Sequence, residues 1–158
     1  MNNSLEVPLY RAVISTFEDL GYMLPERTLS DAQQSAPAAA AASVAFRGPM
    51  RGTLTVRICG GVLPTIAANM LGEDEPPTEE LQRDALGEIA NVICGSVLPA
   101  LGGPGAEFRL EAPRPLNPSF AADAEPAAAC VAVALDDGRA EVALFVRPCE
   151  GAPVGAHP

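Results

Sequence analysis

One histidine, His157, stands in the whole chain of 158 residues, in a Pro/Gly-rich tail. That removes a Ser-His-Asp triad, a Cys-His pair and any histidine-based metal site. No P-loop and no GxGxxG occurs, so nucleotide chemistry lacks its usual phosphate cradle. The four cysteines, Cys59, Cys94, Cys130 and Cys149, are scattered with no CxxC pair. They read as free thiols serving as small apolar fillers, not as a disulfide framework. Tryptophan is absent and aromatics make up only 4%, which leaves Leu, Val, Ile and Ala to build the core. Basic residues are outnumbered, ten against twenty acids, for a net charge of −10. Nucleic acid and anionic lipid both need a basic surface, so neither is expected as a partner. The N-terminus shows no basic run leading into an apolar core, and no apolar run reaches the ~18 residues of a membrane span. The expectation is a cytoplasmic protein without membrane insertion. Any catalysis must run on carboxylates and amides, or borrow its reactive group from elsewhere.

What the chain does have is residues 84–95, Asp-Ala-Leu-Gly-Glu-Ile-Ala-Asn-Val-Ile-Cys-Gly. On a helix, at about 100° per residue, Leu81, Ala85, Leu86, Ile89, Ala90, Val92, Ile93 and Val97 spread over a broad apolar face. Asp84, Glu88, Asn91 and Gly95 gather on a polar stripe about 60° wide. An acid and an amide one turn apart then stand on a rod whose back is anchored in a core. A solvated helix face would look the same on pattern alone. Gly95, however, costs about 1 kcal/mol against alanine inside a helix. Either tight helix packing or the close approach of a partner surface has to account for it.

Around this stretch the periodicities predict an α+β domain over residues 1–147, with a disordered tail over 148–158. A first helix spans residues 8–24, opened by Pro8 and closed by Gly21. Residues 30–42, with Pro37 and an alanine run, read as a low-complexity connector. Residues 43–47 and 53–59 form a hairpin with Leu54, Val56 and Ile58 on its buried face, and Arg51 and Arg57 solvated. A second helix runs from Pro64 to Gly72, with Asn69 as an ordinary helix residue. Glu73-Asp74-Glu75 reads as a solvated link. Thr78 caps a long third helix that runs to about Leu98, before Pro99. Residues 107–111 are a short strand, 112–128 a loop or an edge crossing, and 130–135 and 141–146 a hairpin about Asp136-Asp137-Gly138-Arg139. The order is helix, two strands, two helices, three strands: an antiparallel sheet with helices packed mainly on one face.

In this setting, after a hairpin strand and the short helix ending Ala-Asn69-Met70-Leu71-Gly72, the pattern Asp84-x-x-x-Glu88-x-x-Asn91-x-x-x-Gly95 resembles the CheC/CheX/FliY phosphatases of bacterial chemotaxis. The single motif, the chain length and the element order look most like CheX. The resemblance implies a protein phosphatase that hydrolyses the aspartyl phosphate of a CheY-type response regulator. The regulator would supply the phosphate, the Mg²⁺ and a lysine, so the phosphatase needs no cofactor or metal of its own. Glu88 would pair with that lysine and Asn91 would aim the attacking water. Asp84 would sit at the interface rim and Gly95 where the partner comes close. The same helix could instead dock a regulator without hydrolysis, as an adaptor or motor-switch accessory. A homodimer is compatible with the resemblance and is left open by the residues.

Overall fold

The computed structural model describes residues 3–119 and 126–148. Among these residues four helices and six strands follow one another: α1 (Asn3–Asp19), α2 (Asp31–Ser35), β1 (Ala38–Arg47), β2 (Met50–Cys59), α3 (Leu63–Leu71), α4 (Glu79–Gly102), β3 (Arg109–Leu110), β4 (Arg114–Leu116), β5 (Ala129–Leu135) and β6 (Gly138–Pro148). The strands form one antiparallel sheet in the order β3-β1-β2-β6-β5, and β4 also pairs with β1. The α+β architecture with an antiparallel sheet is therefore as expected.

The strand period builds the core. Leu54, Val56 and Ile58 of β2 and Ala140, Val142 and Leu144 of β6 are buried, while Thr53, Thr55, Glu141 and Ala143 between them face outward, half-buried. Onto the buried face pack α1, α3 and α4, through Leu9, Val13 and Phe17 of α1, Ile66 of α3, and Leu86, Ile89 and Ile93 of α4. Each such fully buried side chain contributes about 1.5–3 kcal/mol.

The structure corrects several expectations. Helix α1 begins at Asn3 and ends at Asp19 rather than spanning 8–24. Pro8 lies inside it, because Leu5 continues the buried spacing of Leu9, Ala12 and Val13 one turn earlier. The connector is ordered. Ser30 accepts from the Gln33 amide and the Gln33 side chain accepts from the Ser30 amide, a capping box that starts α2. Arg139 closes the other end of α2 by donating to the carbonyls of Gln33, Gln34 and Ala36 at 2.7, 2.9 and 3.0 Å. The alanine run is strand: Ala38 to Ala42 pair with Cys59 to Val56 of β2. Alanine has little strand preference of its own, and here sheet pairing overrides it. Of the two alternatives for 112–128, the edge crossing holds at residues 114–116, which form β4 on the edge of β1. Helix α4 continues four residues past Leu98, with Pro99 inside it. Strand β6 reaches Pro148, so the expected tail begins no earlier than 149, and 149–158 lies outside the described residues. Arg57 is not simply solvated: its side chain is 27% exposed and pairs with Glu141 at 3.2 Å. Arg51 is half-buried. Asn69 does more than fill a helix face, donating to the Gly21 carbonyl at 2.7 Å and tying α3 to the end of α1.

Cys59 and Cys94 are buried fillers as expected, but Cys130 is exposed on β5; Cys149 lies outside the described residues. Burial pushes the Cys94 thiol up to about 12. Cys59 is raised as well, first by burial and then by the Glu141 charge, against Arg139 and Arg57. The folded state thus holds the Cys94 proton more tightly than the unfolded chain. Its contribution to stability is full below the ordinary thiol value of 9.0 and is lost as pH rises from there to about 12. Because the thiolate is the reactive form, iodoacetamide at about pH 8 should modify Cys130 and spare Cys59 and Cys94 until denaturant is added. Peptide mapping by mass spectrometry checks this; native labelling of Cys94 as fast as Cys130 would contradict it.

Candidate docking and catalytic helix

Helix α4 starts where Thr78 accepts a hydrogen bond from the Leu81 amide at 3.3 Å, and Glu79 and Glu80 meet the positive end of its dipole. Its inward side is continuous: Ala85, Leu86, Ile89, Ala90, Ile93, Cys94, Val97 and Leu98 are buried. By length and composition it is also the one helix among the described residues long and apolar enough to cross a membrane, a test that the core helix of a globular domain passes too. Half of that apolar window is buried within the protein.

The stripe is where the spacing put it. Asp84, Glu88 and Gly95 are exposed and Asn91 is half-buried among them. No hydrogen bond or ion pair holds the side chains of Asp84, Glu88 or Asn91 among the described residues. A carboxylate and a carboxamide one turn apart, both unengaged and fixed on a helix seated in the core, are free to meet an outside group. Among the described residues no set of three or more His, Cys, Asp or Glu side chains could hold a metal ion.

Two glycines of α4 differ in what the fold asks of them. A Cβ on Gly87 would lie 3.1 Å from Cβ of Pro113, so the chain entering β4 crosses the helix there at close range. A Cβ on Gly95 would meet nothing within 4 Å. Tight packing therefore explains Gly87 and leaves Gly95 without an internal reason. Pro99, four residues on, has no N–H to give the Gly95 carbonyl.

Residues that the sequence reading missed border the stripe. Leu81 and Val92, expected on the inward face, are 41% exposed and half-buried respectively. At 100° per residue they lie only about 20° and 40° round from Glu88, so the helical wheel held the signal. On the other side a groove of about 390 Å³ runs between α4 and β4, floored by Ala41, Ala42 and Gly87, with Glu80, Arg83, Asp84 and Glu88 on one rim and Pro113 to Pro115 on the other. Nothing local in the sequence announces that rim, because it depends on β4 joining the edge of β1.

A family model described as "Chemotaxis phosphatase CheX" matches residues 40–135, more than half of the chain. The chain belongs to the CheX family. The matched span runs from β1 into β5 and includes the stripe and both rims of the groove. No curated protein matches significantly. Among solved structures, the chemotaxis protein CheX from Vibrio vulnificus is similar, with TM-score 0.69 and 16% identity over 93% of this chain and 100% of that one. CheX from Desulfovibrio desulfuricans gives TM-score 0.69 and 18% identity, over 90% of this chain and 99% of that one. A chain of the CheX-CheY-BeF3-Mg+2 complex from Borrelia burgdorferi gives TM-score 0.63 and 17% identity, over 89% of this chain and 96% of that one. At these identities the likeness to each CheX structure is one of fold.

Proposed function

We propose that this chain is a protein phosphatase that hydrolyses the aspartyl phosphate of a CheY-type response regulator. Its α4 stripe would be the inserted element. The observation that carries the reading is the unengaged Glu88–Asn91 pair on the exposed side of a core-anchored helix, next to a glycine that faces open space. Membership of the CheX family and the fold shared with a chain from a CheX-CheY complex support it.

Acyl phosphates hydrolyse readily once their charge is neutralised, a task for the regulator's own Mg²⁺ and lysine. What remains is to hold water in line with phosphorus. The Asn91 amide can donate and accept hydrogen bonds without being protonated or consumed, so it can orient that water. Glu88 pairs with the regulator's lysine and sets the docked register; removing it would leave a cation at the interface without its partner. Asp84 stands one turn nearer the helix start, at the rim. Leu81 and Val92 add apolar contact beside Glu88, and Gly95 lets the regulator's backbone close on the rod.

The direct test is phosphate release from a phosphorylated regulator with Mg²⁺, with and without this protein. Acceleration supports the reading; binding without acceleration would make the protein an adaptor instead. Gly95 supplies a second test. Gly95→Ala should raise the free energy of unfolding by about 0.5–1 kcal/mol and yet lower affinity for the phosphorylated regulator several-fold. Denaturant unfolding and titration of the regulator measure the two sides. A stabilised variant with unchanged affinity would remove Gly95 from the interface.

A further inference from the structure

The groove beside Glu88 has a second rim that no part of the phosphatase motif accounts for. Segment 111–116 is held rigidly: Ser43, Ala42 and Ala41 of β1 pair with Arg114, Pro115 and Leu116, and Pro113 abuts α4 at Gly87. Pro113 and Pro115 have no N–H, so this edge is poorly suited to adding another strand. Between them the segment presents Arg114. Arg114 is exposed, and no hydrogen bond or ion pair occupies its side chain among the described residues. No salt bridge spans the groove to Asp84 or Glu88, although they stand on the facing rim. The helix rim carries Glu80, Asp84 and Glu88 against the single cation Arg83, a net negative side, and the other rim carries a fork-shaped cation that matches a carboxylate in two-point geometry.

We infer that Arg114 is a specificity-determining contact for the regulator, taking a surface carboxylate on the partner while Glu88 takes its lysine. The inference rests on the reading of α4 as the docking helix. The groove is continuous with that site, and its charge pattern asks for a partner surface with a cation and an anion on opposite sides of the inserted element. Such a pair of opposed charges fixes orientation and rejects regulators with the wrong sign at the second position. Asn91 does not line the groove that Arg114 borders, so Arg114 acts on binding and not on the chemical step.

The experiment is steady-state phosphate release from a regulator kept phosphorylated by a small phosphodonor, comparing wild type, Arg114→Glu, Arg114→Gln and Asn91→Ala. Arg114→Glu should raise KM about tenfold at low salt, less at high salt, with kcat unchanged and the thermal midpoint unmoved. Arg114→Gln should fall between. Among Asp→Lys and Glu→Lys variants of the regulator, one should restore the affinity of Arg114→Glu. If Asn91→Ala abolishes release while Arg114→Glu leaves KM within twofold of wild type, this inference falls and the phosphatase reading stands. If Asn91→Ala changes nothing, both fall. A loss in kcat alone for Arg114→Glu would also overturn the inference.

Discussion

Asn91→Ala is expected to return phosphate loss to the regulator's own rate while the complex still forms. The side chain does little for the fold. Asn91 makes no hydrogen bond among the described residues and sits half-buried at the border of the exposed stripe. Alanine is the better helix former by several tenths of a kcal/mol, so the variant should fold at least as well. The loss is confined to what the amide does for an outside water. A hundredfold acceleration corresponds to about 2.7 kcal/mol, which is within reach of one well-placed group that orients a nucleophile. Affinity should persist because Glu88 and the apolar border of Leu81 and Val92 are untouched. Glu88→Ala should do the reverse first, weakening the complex before it slows the bound reaction. Single-turnover phosphate release and equilibrium binding, measured on the same preparations, separate the two effects. If Asn91→Ala accelerates release as well as wild type does, the water-aiming role is wrong.

Much of this site was legible from the chain because a helix has one period. With 84–95 helical, the angles place Asp84, Glu88, Asn91 and Gly95 on one stripe, and the structure keeps them there. The same rule, applied loosely, sent Leu81 and Val92 inward, though their angles lie beside Glu88 and far from the middle of the buried face at Ile93 and Ala90. The fold class was legible for a related reason. Alternation in β2 and the turn at 136–139 specify hairpins, and hairpins specify an antiparallel sheet. What stayed hidden depends on partners distant in sequence. The alanine run could become β1 only by pairing with β2, and Arg114 became a rim only because β4 sits on β1. Helix α2 was a plainer oversight, since Ser30-x-x-Gln33 is itself a local start signal.

The second large effect lies in the sheet. Gly52→Ala is expected to destabilise the protein by about 3 kcal/mol or more, beyond what most overpacking costs. Gly52 pairs with Phe46 of β1 on one side and Val146 of β6 on the other, in the interior of the sheet. A Cβ there would overlap the carbonyl oxygen of Phe145 and come within 2.7 Å of Cζ of Phe46. A backbone oxygen in a ladder cannot swing aside as a side-chain tip can. Phe46 is 2% exposed, and its ring meets Phe108 edge-on at 5.8 Å. Phe108 in turn closes on Gly102, at the end of α4, where a Cβ would lie 2.6 Å from its ring. Pushing Phe46 therefore moves Phe108 against the far end of the docking helix. For a domain of this size the thermal midpoint should fall by about 10 °C, and a midpoint within 2 °C of wild type, roughly the effect of a mild surface change, would show that the sheet absorbs the methyl. Gly52 and Gly95 thus separate by sign. The glycine that the sheet demands loses stability on substitution. The one that faces open space gains it, and what it loses is affinity for the partner that the open space is proposed to receive.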